Sequence, residues 1–477
     1  MSALALIAAA ALVQSGPAPA ALSETPFTFT AESGETTGAL RGDLQVSEDW
    51  SDPDSRMITL SYVRFPATTD NPGDPIIYLA GGPGGSGSGT AQGRRFPLFM
   101  AMRAHGDVIA FDQRGTGDST ALPACRSSET LATDEGLSDE QVADAYRRAA
   151  LECRDFWRGE GVAIKGYTTL DSVADLSALR RHLGAERLDL WGISYGSHLA
   201  LAAIDAIPDE IDRVIIASAE GLDQTVKRPA RTRAYFERLQ AALDTQPEAR
   251  ARYGDILSMI DRVQARLAEA PIMMELEGEG GEAAPFLFQL RHLQTITGYM
   301  ISDPSNAVWL LQLYESLDAG VVGYAQFFAG RYFSSDGAIT LRAMPTAMDV
   351  ASGISPERLA RFEAEAPQSP AGRYLNFPMP QLNQVWPDVD LGSDFRDGPG
   401  GDTPVLLLTG TLDGRTYMEG QAEAVAGLSE VTQVTVVNAG HNLFMTSPEV
   451  GAAMDAWLKG EAVPGEIVVE LPDFAGE

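Results

Sequence analysis

Gly192-Ile193-Ser194-Tyr195-Gly196 has the spacing Gly-x-Ser-x-Gly, which points to a serine acting as a nucleophile. Where such a pentapeptide turns sharply from a strand into a helix, the glycines leave room for the tight backbone and the serine hydroxyl projects clear of both elements. The helix N-terminus beneath it favours negative charge. A hydroxyl also needs a base to take its proton and an acid to hold the base. Asp413 lies in Thr411-Leu412-Asp413-Gly414 and is the candidate acid; His441 lies in Asn438-Ala439-Gly440-His441-Asn442 and is the candidate base. Of the five histidines, only His441 follows such an acid. His198 sits one turn past the serine and points along its helix, while His105, His182 and His292 come earlier and read as surface or packing residues.

These residues need particular elements to position them. Arg187 to Trp191 reads as a short strand and Ser197 to Ile204 as a buried helix, which makes the turn at Ser194 a strand-to-helix elbow. Pro404 to Gly410 is a strand that delivers Asp413, and Val434 to Val437 is a strand that delivers His441. Stabilising an oxyanion takes two N–H donors. One is the backbone of Tyr195, directly after the serine. The other comes from the turn Ala80-Gly81-Gly82-Pro83-Gly84-Gly85-Ser86-Gly87 that follows the strand Pro75 to Leu79, with Gly82 preferred over Gly81 because glycine lets the backbone come close to a ligand. A phosphate loop is the rival for this glycine run, but the required Gly-Lys-Ser/Thr ending is missing. The order serine, acid, histidine, each after a strand, is that of the α/β-hydrolase fold, a mostly parallel sheet flanked by helices.

The Gly81–Gly85 turn, the string Asp112-Gln113-Arg114-Gly115-Thr116-Gly117-Asp118-Ser119 and the elbow together resemble the prolyl iminopeptidase and tripeptidyl aminopeptidase family of α/β-hydrolases. The resemblance covers roughly residues 40–225 and 395–477, and the C-terminal part, from Leu412 to Asn442, is similar to the larger, secreted tripeptidyl aminopeptidase branch. It implies that Asp112 and Arg114 brace the loops around the oxyanion site; the plainer reading is a buried structural ion pair. One position departs from the family pattern. Where a histidine usually precedes the two glycines, this chain has Ala80.

The formal net charge is -31, from 35 Lys and Arg against 66 Asp and Glu. So acidic a surface argues against nucleic acid and would draw cationic N-termini. Residues 1–21 hold an apolar run, Ala3 to Val13, followed by small residues up to Ala21, and read as a signal peptide, although the usual positive start is missing. The run is too short to span a bilayer, so a soluble, exported protein with no membrane partner is expected. Cys125 and Cys153 flank one segment, in which the capping box Ser138 to Gln141 opens a helix whose apolar side includes Cys153. In an exported chain they can form a disulfide; two separate buried thiols are the other reading.

The stretch between Ala219 and Pro404 is dominated by helical patterns, such as Ala230 to Leu243 and Tyr253 to Leu267. The expected organisation is a core in two parts, 22–222 and 396–477, with a mainly helical cap inserted at 223–395. Inside the cap, Glu275 to Glu282 is acidic and glycine-rich and reads as a surface turn. The cap roofs the serine and sets specificity. Family members that trim peptides hold the substrate ammonium with carboxylates near the cap junction, and Glu220 is the best-placed acid there. Trp191 and the Tyr195 ring are considered as aromatic walls. No cofactor is needed, and no His/Cys cluster is spaced for a metal. The implied activity is a serine aminopeptidase releasing N-terminal residues or short peptides. An esterase or amidase on small acyl substrates is the alternative, and a binding protein on an inactive scaffold comes third.

Overall fold

The computed structural model describes residues 23–277 and 281–476; the expected signal peptide, 1–21, lies outside the described residues. In chain order the strands are β1 (Glu24–Thr30), β2 (Thr36–Ser47), β3 (Met57–Phe65), β4 (Ile76–Leu79), β5 (Val108–Phe111), β6 (Cys125–Thr130) and β7 (Leu188–Ile193). They continue as β8 (Ile211–Ala217), β9 (Ile272–Glu277), β10 (Ala283–Phe288), β11 (Ala338–Leu341), β12 (Val405–Gly410), β13 (Val431–Val437) and β14 (Glu466–Val468). Ten of these form one sheet in the order β1-β2-β3-β5-β4-β7-β8-β12-β13-β14. β1, β2, β3 and β5 pair antiparallel, and every neighbour from β5 to β14 is parallel.

The strand sequences explain this arrangement. Every residue of β4, β5, β7 and β12 is buried, as strands covered by helices on both faces require. Alternate side chains supply two separate cores. Ile77, Leu79, Leu190, Ile216 and Leu407 pack on one face against the helices Thr169–Leu183 and Tyr195–Ala206. Tyr78, Trp191, Ile215, Leu406 and Leu408 pack on the other against Phe96–Met102 and Pro448–Leu458. Because the strands are parallel, the loops after β4, β7, β8, β12 and β13 all emerge at one edge, where ligands bind in open α/β sheets.

The stretch between β8 and β12 divides into two packing units. Residues from Tyr235 to Phe328 build a third apolar cluster of their own, joined by Leu412 and Tyr417 from the loop after β12. Between Ile339 and Phe395 the chain packs mainly into the first cluster instead, only Ala371 and Leu375 joining the third, with β11 paired antiparallel to β6 and Met344, Met348 and Trp386 fully enclosed. The acidic stretch read as a surface turn belongs in part to a hairpin: Glu275–Glu277 ends β9, which pairs antiparallel with β10. Alternating burial along β9, with Met274 and Leu276 inside, is what a half-buried strand shows. Among the described residues no helix is long and apolar enough to cross a membrane.

Cys125, at the start of β6, and Cys153, on the helix Asp139–Gly159, are joined in a disulfide with Cα atoms 5.6 Å apart. It closes a loop with a sequence separation of 28, so replacing both cysteines by serine should lower the unfolding free energy by about 3 kcal/mol. Urea denaturation of the oxidised wild type and the double variant measures this; equal midpoints would show that the bridge adds no stability.

Candidate active site

Ser194 directly follows β7, with φ 55° and ψ −127°, and caps the start of the helix Tyr195–Ala206. Its neighbours must be glycine: a Cβ on Gly192 would lie 2.5 Å from the Gly196 carbonyl oxygen, and one on Gly196 would lie 2.0 Å from that of Leu79. Ser194 N donates to Ala217 O at 3.2 Å, while Ser194 O accepts from Ser197 N at 2.8 Å. The left-handed conformation is therefore over-determined by packing on three sides. The Tyr195 N–H opens the helix, where amide groups have no intrahelical acceptor.

The glycine turn after β4 passes beside this serine. A Cβ on Gly81 would come within 3.1 Å of Ser194 Cβ. Gly82, at φ 127°, lines the same cavity as Ser194. Asp112 fixes the far end of the turn by accepting from Ser86 Oγ (2.7 Å), Ser88 N (3.0 Å), Ser88 Oγ (2.6 Å) and Asp118 N (3.0 Å). Arg114 does sit in a buried structural ion pair, but its partner is Asp175 and the loops it braces are not those of the oxyanion turn. Fully buried, it forms a bidentate pair with Asp175 at 2.6 and 2.7 Å and donates to Glu48 O at 2.6 Å, so it braces the β2 end and the helix Thr169–Leu183, away from Asp112. Gln113, unremarked within its motif, reaches the glycine turn instead by donating from Nε2 to Ala80 O at 3.1 Å.

Asp413 and His441 meet across the ends of β12 and β13. His441 Nδ1 is 3.1 Å from both Asp413 carboxylate oxygens. The carboxylate has no exposed surface, and it also accepts from Arg415 N (2.8 Å), Thr416 N (2.9 Å) and Thr416 Oγ1 (2.7 Å). Burial alone would raise its pKa, but the His441 charge and these donors hold it below the usual carboxylate range. The imidazole bonds only through Nδ1 among the described residues and forms no hydrogen bond to Ser194 there, so Nε2 is left open. Two contacts tie its loop to the rest of the site: Ser218 Oγ donates to His441 O at 2.8 Å, and Arg95 Nη2 donates to Asn442 Oδ1 at 2.6 Å.

The cavity above Ser194 is charged. Glu220, Lys227, Asp349 and Arg415 all line it, with Tyr299 and Thr416. Glu220 is buried and ion-paired with Lys227. Arg415 is engaged by carbonyl oxygens, donating from Nη1 to Leu375 O at 2.7 Å and Gly298 O at 3.2 Å. Asp349, on the helix Ala343–Ser352, is left without a side-chain hydrogen bond or ion pair among the described residues. Burial, reinforced by the Glu220 charge, pushes its carboxyl up to about 7. No local motif marks Asp349 in the sequence. Neither expected aromatic wall lines this cavity, where Tyr299, Tyr374 and Phe377 stand instead: Trp191 packs on the opposite face of the sheet with Tyr78 and Phe99, and the Tyr195 hydroxyl donates to Met348 Sδ in the core. No cluster of three His, Cys, Asp or Glu side chains suited to a metal occurs among the described residues.

A family described as alpha/beta hydrolase fold matches residues 74–278, and one described as TAP-like protein matches 380–468. Serine protease Hip1 of Mycobacterium tuberculosis is 31% identical over 193 residues, 38% of this chain and 36% of that protein. Tripeptidyl aminopeptidase of Streptomyces coelicolor is 27% identical over 228 residues, 45% of this chain and 39% of that protein. Proline iminopeptidase of Arabidopsis thaliana is 31% identical over 147 residues, 30% of this chain and 26% of that protein. The chain spans well under half the length of these relatives.

Proposed function

From the chain's place among the α/β hydrolases, with a TAP-like C-terminal segment, we propose that it is a serine aminopeptidase acting on peptides with a free N-terminus. The observation that carries this reading is a carboxylate without a partner among the described residues, Asp349, sharing one cavity with a serine on a nucleophile elbow. Buried charges are ordinarily paired. Glu220 has its cation in Lys227, so Asp349 is the acid free to receive a substrate ammonium, with Glu220 shaping the field around it. Peptidase relatives support the same chemistry.

In this mechanism His441 Nε2 takes the Ser194 proton as Oγ attacks the carbonyl carbon, and Asp413 holds the imidazole through Nδ1. The N–H groups of Tyr195 and Gly82 stabilise the oxyanion. The imidazolium then protonates the leaving amine as the C–N bond breaks, and water attacks the acyl-enzyme with the imidazole again as base. The Cys125–Cys153 disulfide supports placing the protein in an oxidising compartment, as an exported enzyme.

A panel of aminoacyl and tripeptidyl chromogenic amides, with free and N-acetylated termini, tests the reading. Free amides should be cleaved and acetylated ones spared, and Ser194→Ala should abolish the activity. Turnover confined to simple esters would replace the peptidase reading with an esterase one.

The cavity charge also sets a pH dependence. Below about 7 Asp349 is protonated and loses its attraction for an ammonium; above about 8 the substrate amine itself deprotonates. For free-amine substrates kcat/KM should therefore rise through about pH 7 and fall again above about 8. In Asp349→Asn the preference for free over acetylated substrates should drop at least about tenfold, and an unaltered ratio would remove Asp349 from substrate binding.

A further inference from the structure

The packing unit built from Tyr235 to Phe328 meets the base loop through one short turn. Ile301, Ser302 and Asp303 link the helices Leu290–Met300 and Pro304–Asp318. Ile301 O accepts from Gly414 N at 3.0 Å and Ser302 O from His441 N at 2.7 Å. Asp303 Oδ1 accepts from Asn442 N at 3.3 Å. The seam is closely packed: a Cβ on Gly440 would lie 2.4 Å from Asp303 Oδ1, and one on Gly414 would lie 2.3 Å from Ile301 O. The loops carrying Asp413 and His441 are thus both held from above by the same three residues.

Asp303 is the only charged residue of the three, and it forgoes the role its position offers. It is the N-cap of Pro304–Asp318, where an aspartate ordinarily accepts from its own helix N–H groups. Here it makes no such capping bond and turns to the Asn442 N–H. We propose that Asp303 is a positioning residue for His441, anchoring the base loop through Asn442 and placing a second carboxylate beside the imidazole.

This inference rests on the reading of His441 as the base. The charged groups facing that loop are Asp413 from the end of β12, Asp303 from the cap, and Arg94 and Arg95 from the segment before the helix Phe96–Met102. Burial, with the Asp413 charge, raises the Asp303 carboxyl, and the Asn442 N–H and the positive charge of His441 offset this only in part. The same attraction acts in reverse on the imidazolium, which two carboxylates stabilise in place of one.

Histidine-labelled protein, with the His441 resonance assigned by His441→Gln, gives a direct test by NMR titration. Asp303→Asn keeps an oxygen to accept from Asn442 N but removes the charge, so the His441 midpoint should fall by about half a unit or more. Asp303→Ala removes both, and phosphonylation of Ser194 by a fluorophosphonate should slow about tenfold or more. An unshifted midpoint in Asp303→Asn, or an undiminished labelling rate in Asp303→Ala, would overturn the proposal. A lowered melting temperature with an unshifted midpoint would mark a scaffold role and overturn it equally. Residual hydrolysis by Ser194→Ala would count against the serine mechanism alone, because the titration reads Asp303 without any turnover.

Discussion

A carboxylate with no access to water must be solvated by the protein, and Asp413 imposes that demand on everything around it. Its own loop supplies two backbone N–H groups and a hydroxyl, and His441 supplies Nδ1. Those donors converge only if the loops after β12 and β13 lie side by side, which parallel pairing of the two strands secures. Gly410 lets them close up, since a Cβ there would meet Ala439 O at 2.6 Å. Leu412 and Tyr417 then carry the acid loop into the apolar cluster of the cap. The stretch between β8 and β12 consequently supports the loops carrying Asp413 and His441 as well as lining the cavity.

The cavity follows the same rule with a different result. Lys227 pairs with Glu220 and carbonyl oxygens engage Arg415, whereas the Asp349 carboxylate makes no side-chain hydrogen bond or ion pair among the described residues. A pocket that leaves one acid unpaired beside a nucleophile is suited to a ligand that brings a positive charge and a carbonyl together. The N-terminal residue of a peptide is such a ligand. The acidic composition, at a formal -31, would add to the proposed preference over a longer range, though salt screens it beyond about 8 Å at physiological ionic strength.

Features written in local sequence were legible, and features created by distant pairing were not. The elbow at Ser194, the glycine turn after β4 and the strand-end placement of Asp413 and His441 depend on neighbours a few residues away, so short motifs carry them. The partner of Arg114 is Asp175, 61 positions later; only the folded chain brings the two together, and the nearer Asp112 drew the wrong inference. Glu220 was visible because it follows β8 directly, yet its pairing with Lys227 and the arrival of Asp349 from another helix change its meaning. Trp191 shows the limit of proximity in sequence: three residues before Ser194, it faces the opposite side of the sheet because strand side chains alternate. The hairpin of β9 and β10 went unread because acidic residues and glycines masked a period-two pattern.

The most direct test of the account is covalent labelling of the native protein with a fluorophosphonate, followed by peptide mapping. The account predicts one adduct per chain, on Ser194, with a reaction rate that collapses in His441→Gln. Label on a different residue, or an equal rate without the imidazole, would contradict it.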